Sequence, residues 1–246
     1  MSRAQTLIDD GLLIDFSSDT YYHFINMGKT LSEVEYILIT HTHTDHFTFE
    51  EWFNRYEGAA YNLKAEKLKM YMSEDAYEIM QKSDTARNVN IAARAKRYDF
   101  ITVRPYEEIA VGDYKVTPLP AVHASPETAL IYLIEKDGKT FFFGNDTGIF
   151  NEEIDEYLQK HSKKIDLLSL DCTKCDTEYN YYTHMSMSEG RRIADRFIKK
   201  NILSENAKLY YNHFSHNGNM IYDDLVATAK EKYGFDVTYD GLSIDI

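Results

Sequence analysis

The sequence is short of the features that mark several protein classes. It holds two cysteines in 246 residues, too few for a disulfide-stapled scaffold. It holds four prolines and no Pro/Gly/Ser linker, low-complexity tract or repeat, so residues 1–246 read as a single domain. No apolar run approaches the ~20 residues of a membrane helix. The opening Met1-Ser2-Arg3-Ala4-Gln5 lacks the apolar stretch of a secretory signal, and a cytoplasmic protein is the expectation. Positive charge is scarce as well. Lys and Arg number 27 against 40 Asp and Glu, a net charge of −13, and such a chain repels phosphate backbones. At 43% hydrophobic and 14% aromatic residues the composition excludes disorder and suits a buried core.

What is present is an alternation of short β-rich and helical runs. Thr6–Asp9 and Leu12–Phe16 flank Asp10-Gly11, a hairpin turn signal. Tyr36-Ile37-Leu38-Ile39 is wholly apolar, the mark of a strand buried on both faces. Further strands are predicted at 68–73, 100–104, 115–119, 129–134, 140–143, 165–170, 208–211, 237–239 and 242–244. Helices are predicted at 50–56, 74–82, 152–160, 188–200 and 223–233. Helices interleaved with strands in both halves predict an α/β sandwich.

The strongest chemical signal is Thr40-His41-Thr42-His43-Thr44-Asp45-His46, directly after the buried strand. Alternate residues of an extended segment share a face, so His41 and His43 can serve one ion. Asp45 and His46 lie on the following turn and can serve a second. Imidazole with carboxylate suits Zn, Mn or Fe. A surface histidine cluster or a tag is the bland alternative, but a tag does not follow a buried strand.

The pattern His41-x-His43-x-Asp45-His46 resembles the signature of the metallo-β-lactamase superfamily of metal-dependent hydrolases. The resemblance implies an αββα four-layer sandwich, a two-metal site at one edge of its sheets, and three further ligands, each ending a later strand. The sequence offers His123 after Thr117–Val122, Asp146 after Thr140–Asn145, and His213 after Leu209–Asn212. By this resemblance His41, His43 and His123 hold one divalent ion, Asp45, His46 and His213 hold a second, and Asp146 bridges them. The metals implied are Zn, Mn or Fe, with a shared hydroxide as the nucleophile of a hydrolysis.

Leu170-Asp171-Cys172-Thr173 and Thr183-His184-Met185-Ser186-x-x-Glu189-Gly190 resemble the phosphodiesterase-type members. There a histidine that is not a ligand precedes a helix and touches the phosphate or protonates the leaving oxygen. His184 is that residue here, and with Asp45 it makes up the implied catalytic pair. Ser186 or Ser188 caps the helix, whose free N–H groups suit an anion. Capping that helix is the plainer role for His184. Asn212-His213-Phe214-Ser215-His216 resembles the last motif of the same group, which makes His216 a substrate-binding residue beside His184, or a partner of the carboxylates behind the ligands.

The likeness is strongest to phosphodiesterases of the carbon–phosphorus lyase pathway, which act on cyclic phosphates of ribose. In that group the segment 3–15 is internal and follows one or two strands and a structural-zinc loop. Here the sequence begins almost at that segment. The first N-terminal strands of the sandwich are therefore either lost or lie upstream of this start, and their loss would leave an open sheet edge through which a homodimer can pair. Cys172-Thr173-Lys174-Cys175 offers two thiols where a structural zinc needs four ligands, so these read as packing cysteines. Arg87, Arg94, Lys96 and Arg97 read as a solvated helix face. Tyr179-Asn180-Tyr181-Tyr182 offers rings on which a base or ribose can stack.

The expected function is a dinuclear metal-dependent phosphodiesterase on small nucleotide or cyclic phosphate substrates. Its expected partner is a small phosphate ester, with no long nucleic acid and no membrane. Alternatives are a thioester or lactone hydrolase of the same fold, a tRNA 3′-end nuclease, and a non-catalytic metal-binding protein. The first lacks the extra C-terminal helical domain of the glyoxalase type. The second lacks a basic arm and opposes the net charge. The third usually loses ligands.

Overall fold

The computed structural model describes residues 2–48, 55, 58, 60–86, 96–177 and 180–246. The helix predicted at 50–56, Arg87, Arg94 and Tyr179 fall largely or wholly outside the described residues. The chain comprises two units, Met1–Arg104 with Ala124–Leu130, and Pro105–His123 with Ile131–Ile246.

The first unit is built on a five-stranded sheet in the order β1-β2-β3-β4-β5. Its strands are β1 (Thr6–Ile8), β2 (Leu12–Ile14), β3 (Tyr36–Leu38), β4 (Leu68–Met72) and β5 (Tyr98–Thr102). The β1–β2 hairpin is antiparallel, and β2 to β5 run parallel. The hairpin turns one residue earlier than Asp10-Gly11 suggests. Asp9 and Asp10 both have positive φ, and the Gly11 N–H donates to the Ile8 carbonyl at 3.2 Å. Both central residues of this turn are therefore left-handed, which Asp tolerates better than most side chains. β3 lies between two parallel neighbours, so Ile37 and Leu38 are fully buried, as its apolar run predicts. The core gathers Leu13, Phe16, Phe24, Ile37, Ile39, Phe47, Met70, Met72 and Met80. Helix α1 (Thr20–Asn26) escapes sequence reading because it buries only Thr20 and Phe24. Helix α2 (Glu74–Ala86) extends the predicted one by four residues.

The second unit carries a seven-stranded sheet in the order β12-β11-β10-β9-β8-β7-β6. Its strands are β6 (Ile109–Val111), β7 (Tyr114–Pro120), β8 (Leu130–Lys136), β9 (Lys139–Gly144), β10 (Ile165–Asp171), β11 (Leu203–Asn212) and β12 (Asp236–Val237). β9 to β12 are parallel. The β8–β9 hairpin turns at Asp137-Gly138, both with positive φ. Among the described residues this unit carries helices α3 (Glu152–Lys160), α4 (Met187–Lys199) and α5 (Tyr222–Thr228), and α5 continues as a π turn over Ala229–Tyr233. The strand predicted at 242–244 is not formed. The last two-residue strand already ends the sheet beside β11, and residues 242–246 carry no ladder partner. Cys172 and Cys175 are free and buried in the core of this unit with Phe142, Phe150, Phe197 and Tyr211, which agrees with a packing role.

Helix α4 is locked to the sheet by one close contact. Tyr211 stacks on Phe235 at 4.0 Å, and its hydroxyl donates to the Met187 carbonyl at 2.6 Å. Burial pushes that hydroxyl far above the usual tyrosine range. A Cβ on Gly190 would lie 2.7 Å from Tyr211 Cε1. Gly190→Ala should therefore destabilise the protein by about 1–3 kcal/mol through overpacking, read as a lower midpoint in thermal unfolding.

Candidate active site

Both parallel runs place polar residues just beyond the carboxyl ends of their strands, the position at which open α/β sheets bind ligands. In the first unit these are Asp15 after β2 and Thr40 to His46 after β3. In the second they are Asp146 after β9, Asp171 at the end of β10 and His213 after β11. Asp15, Asp146 and His213 all have positive φ. Side chains with a Cβ resist that conformation, and its use here turns each chain end sharply out of its strand.

In the first unit the histidine rings converge. The His43 and His46 ring centroids each lie 4.5 Å from that of His41. His46 Nδ1 donates to Asp15 Oδ2 at 2.7 Å, with both side chains almost wholly buried. Asp15 also accepts from the Thr40 N–H at 2.8 Å and from the Thr40 hydroxyl at 2.9–3.0 Å. That hydroxyl lies 3.0 Å from His41 Nδ1. Asp15 is a residue that sequence reading passed over as a site. The signal was a carboxylate ending an apolar strand, Leu12-Leu13-Ile14-Asp15. Asp45 is half exposed, 3.6 Å from His46 Nε2.

The second unit carries its own cluster. His213 Nε2 lies 3.3 Å from Asp146 Oδ2, and His213 Nδ1 lies 2.8 Å from the Thr173 hydroxyl. His184 Nδ1 lies 3.1 Å from Asp171 Oδ2 and 3.2 Å from Asp146 Oδ1. His123 Nδ1 donates to the Thr183 carbonyl at 3.1 Å, and the His123 and His184 ring centroids are 4.9 Å apart. The same segment is seated by Gly148, where a Cβ would come within 1.7 Å of the Tyr182 carbonyl oxygen. His216 is exposed on a 3-10 turn and stands outside this hydrogen-bonded cluster.

Four ligand candidates thus have Nδ1 engaged by an oxygen: His41, His46, His123 and His213. This is the arrangement that fixes the tautomer of a ligating histidine and presents Nε2 to a cation, so the donor set fits divalent metal. One competing set lies within the second unit, where donor atoms of Asp146, Asp171, His184 and His213 all fall within 4.8 Å of one another. Asp171 is ill suited to a metal because its lone pairs are already in use. It accepts from the Thr173 N–H at 2.9 Å, the Thr173 hydroxyl at 3.1 Å and the Met185 N–H at 2.9 Å, besides His184. Its place is behind His184, holding that ring.

The helix after His184 corrects one expectation. Ser186 is the N-cap, and Glu189 closes a capping box by accepting the Ser186 N–H at 2.8 Å. The Lys174 ammonium pairs with the same carboxylate. The anion suited to this helix start is supplied by the protein itself, since the capping box takes up the Ser186 and Glu189 N–H groups, and His184 does not cap the helix.

A β-lactamase superfamily domain matches residues 12–204, and the chain belongs to this family of metallo-β-lactamase-fold, metal-dependent hydrolases. The two sheets with their helices are the elements of that fold. Solved structures agree on the fold. The metallo-β-lactamase fold protein YhfI from Bacillus subtilis is 19% identical over 96% of this chain and 88% of that one, with a TM-score of 0.66. A diphosphatase of the PhnP family is 19% identical over 98% and 82%, with a TM-score of 0.70. Zn(2+)-bound PqqB from Methylobacterium extorquens is 14% identical over 100% and 88%, with a TM-score of 0.68. No curated protein matches the chain in sequence. Among the described residues no helix is long and apolar enough to cross a membrane.

Replacing Asp15 by Ala removes the acceptor of both His46 and Thr40. Metal affinity should fall about 10- to 100-fold in a chelator competition assay, as expected when the group orienting a ligating histidine is lost.

Proposed function

We propose that the protein is a phosphodiesterase acting on small nucleotide or cyclic phosphate esters. The observation that carries this reading is the Asp171–His184 pair, a histidine held by a buried carboxylate and additional to the ligands named by resemblance. The ligands proposed are His41, His43 and His123 for one ion, Asp45, His46 and His213 for the other, with Asp146 shared. Two divalent ions, when bound, lower the pKa of water toward neutrality and neutralise charge that develops on an attacked phosphate.

The chain's own residues supply the remaining chemistry. Asp171 holds His184 through Nδ1, which fixes the ring. Nε2 is then the atom that gives a proton to the leaving oxygen, and the ring retains its Nδ1–H bond to Asp171 afterwards. An alkoxide leaving group needs that proton, whereas a thiolate leaves with far less help. A held acid is therefore more useful for a phosphodiester than for a thioester. The His123 bond to Thr183, together with Gly148, keeps the His184 segment in place while this happens. Tyr181 and Tyr182, exposed immediately before it, suit a base or ribose. The PhnP-family diphosphatase of the same fold is consistent with a small phosphorylated substrate.

The test is a panel of 2′,3′-cyclic nucleotides, bis(p-nitrophenyl) phosphate, a thioester and a lactone, each with Mn or Zn. Phosphodiester turnover should exceed the others, and absence of phosphodiester turnover by metal-loaded protein overturns the reading. His184→Ala should lower kcat by about 10²–10⁴-fold on the cyclic nucleotide. The loss should be smaller on the nitrophenyl ester, whose leaving group needs no acid. Equal losses on both would remove the acid role.

A further inference from the structure

The loop Ala124–Leu130, assigned to the first unit, returns to the histidine segment in an unexpected way. The Leu130 N–H donates to the Thr40 carbonyl at 2.9 Å. Glu127 Oε2 accepts from the Thr42 hydroxyl at 2.7 Å and from the Thr42 N–H at 3.3 Å. His41 is thereby bracketed, with both of its chain neighbours tied to one loop. The loop is itself anchored, because Thr128 donates to Asp75 Oδ2 through its N–H at 2.8 Å and its hydroxyl at 2.6 Å.

Glu127 is an odd anchor. It is 9% exposed, and its second oxygen, Oε1, is buried with no hydrogen-bond partner. Burial pushes its carboxyl above the ordinary range, against the pull of the Thr42 donors and of the nearby His43, while Asp75 adds to the push. A neutral side chain of the same shape would satisfy Thr42 without that desolvation cost. A buried carboxylate that feels His43 also favours positive charge brought to that segment.

We infer that Glu127 is a positioning residue for the His41-Thr42-His43 ligand segment, one that weakens the metal-free protein and strengthens the metal-loaded one. This rests on the metal-dependent reading above. The carboxylate holds Thr42, and through it the spacing of His41 and His43. The cost of burying this half-satisfied carboxylate opposes folding alone, and its charge favours a divalent cation on those imidazoles.

The experiment compares wild type, Glu127→Gln and Glu127→Ala, each stripped of metal and then titrated with Zn or Mn. The readouts are affinity by chelator competition and the melting midpoint with and without metal. Glu127→Gln should melt at or above wild type when metal-free and below it when loaded, with affinity reduced several-fold. Glu127→Ala, which also frees Thr42, should lose about 10- to 100-fold in affinity. A merely structural glutamate would lower both midpoints of the Gln variant alike, and that result overturns the inference. Wild-type affinity in both variants overturns it too, while leaving the metal-dependent reading intact. If the wild type takes up neither metal, that reading falls and the inference falls with it.

Discussion

An imidazole offers two nitrogens, and it serves a cation well through one only when the other is held. Much of the polar architecture here follows from that constraint. Thr40, Asp15, the Thr183 carbonyl and Thr173 each engage an Nδ1 atom. Three of these arrangements depend on two carboxylates sunk into the protein, Asp15 and Asp171, at 1% and 0% exposure. Among the described residues neither is paired with Lys or Arg. An isolated buried carboxylate costs several kcal/mol. Each is tolerated because several polar hydrogens converge on it, and those donors are the neighbours of the histidines being held.

The same economy explains why the clusters stand where strands end. A parallel strand leaves backbone and side chains at its carboxyl end without a ladder to join. Asp15, Asp146 and His213 enter the left-handed region there. Each such residue costs about 1–2 kcal/mol. The cost is met by packing nearby: Leu13 and Ile14 before Asp15, and Phe142 and Phe143 before Asp146, are all buried. Rigid apolar strands hold strained polar tips, which is the division of labour expected of a preorganised site.

Much of this was legible in the sequence. The three-histidine motif stood out because its residues are contiguous and follow an unbroken apolar strand. The later ligand candidates were found by resemblance and by their place at strand ends. Asp15 and Asp171 are not legible as holding groups, because a carboxylate's role depends on which hydrogens face it across 25 or 13 residues of chain. Helix α1 was missed for a different reason: only two of its side chains are buried, so it has no apolar period to read. The capping box at Ser186 and Glu189 shows the converse. The cap was legible, but its consequence was misread, because Glu189 itself supplies the anion at the end that was expected to receive a phosphate.

Charge bears on the size of the proposed substrate. The net value of −13 is spread over the whole surface, and at physiological salt it acts over a Debye length of about 8 Å. A long polyanion meets that field along its entire length. A small phosphate ester meets only the immediate surroundings of the histidines. Two divalent ions would put four positive charges there, close enough to outweigh distant carboxylates. The Lys174 ammonium contributes little to this balance, since Glu189 already neutralises it. Bound metal would then add strongly to the attraction for a phosphate, so affinity for substrate and affinity for metal should rise and fall together. That coupling is what an acidic protein needs if it is to accept one phosphate ester while turning away a nucleic acid.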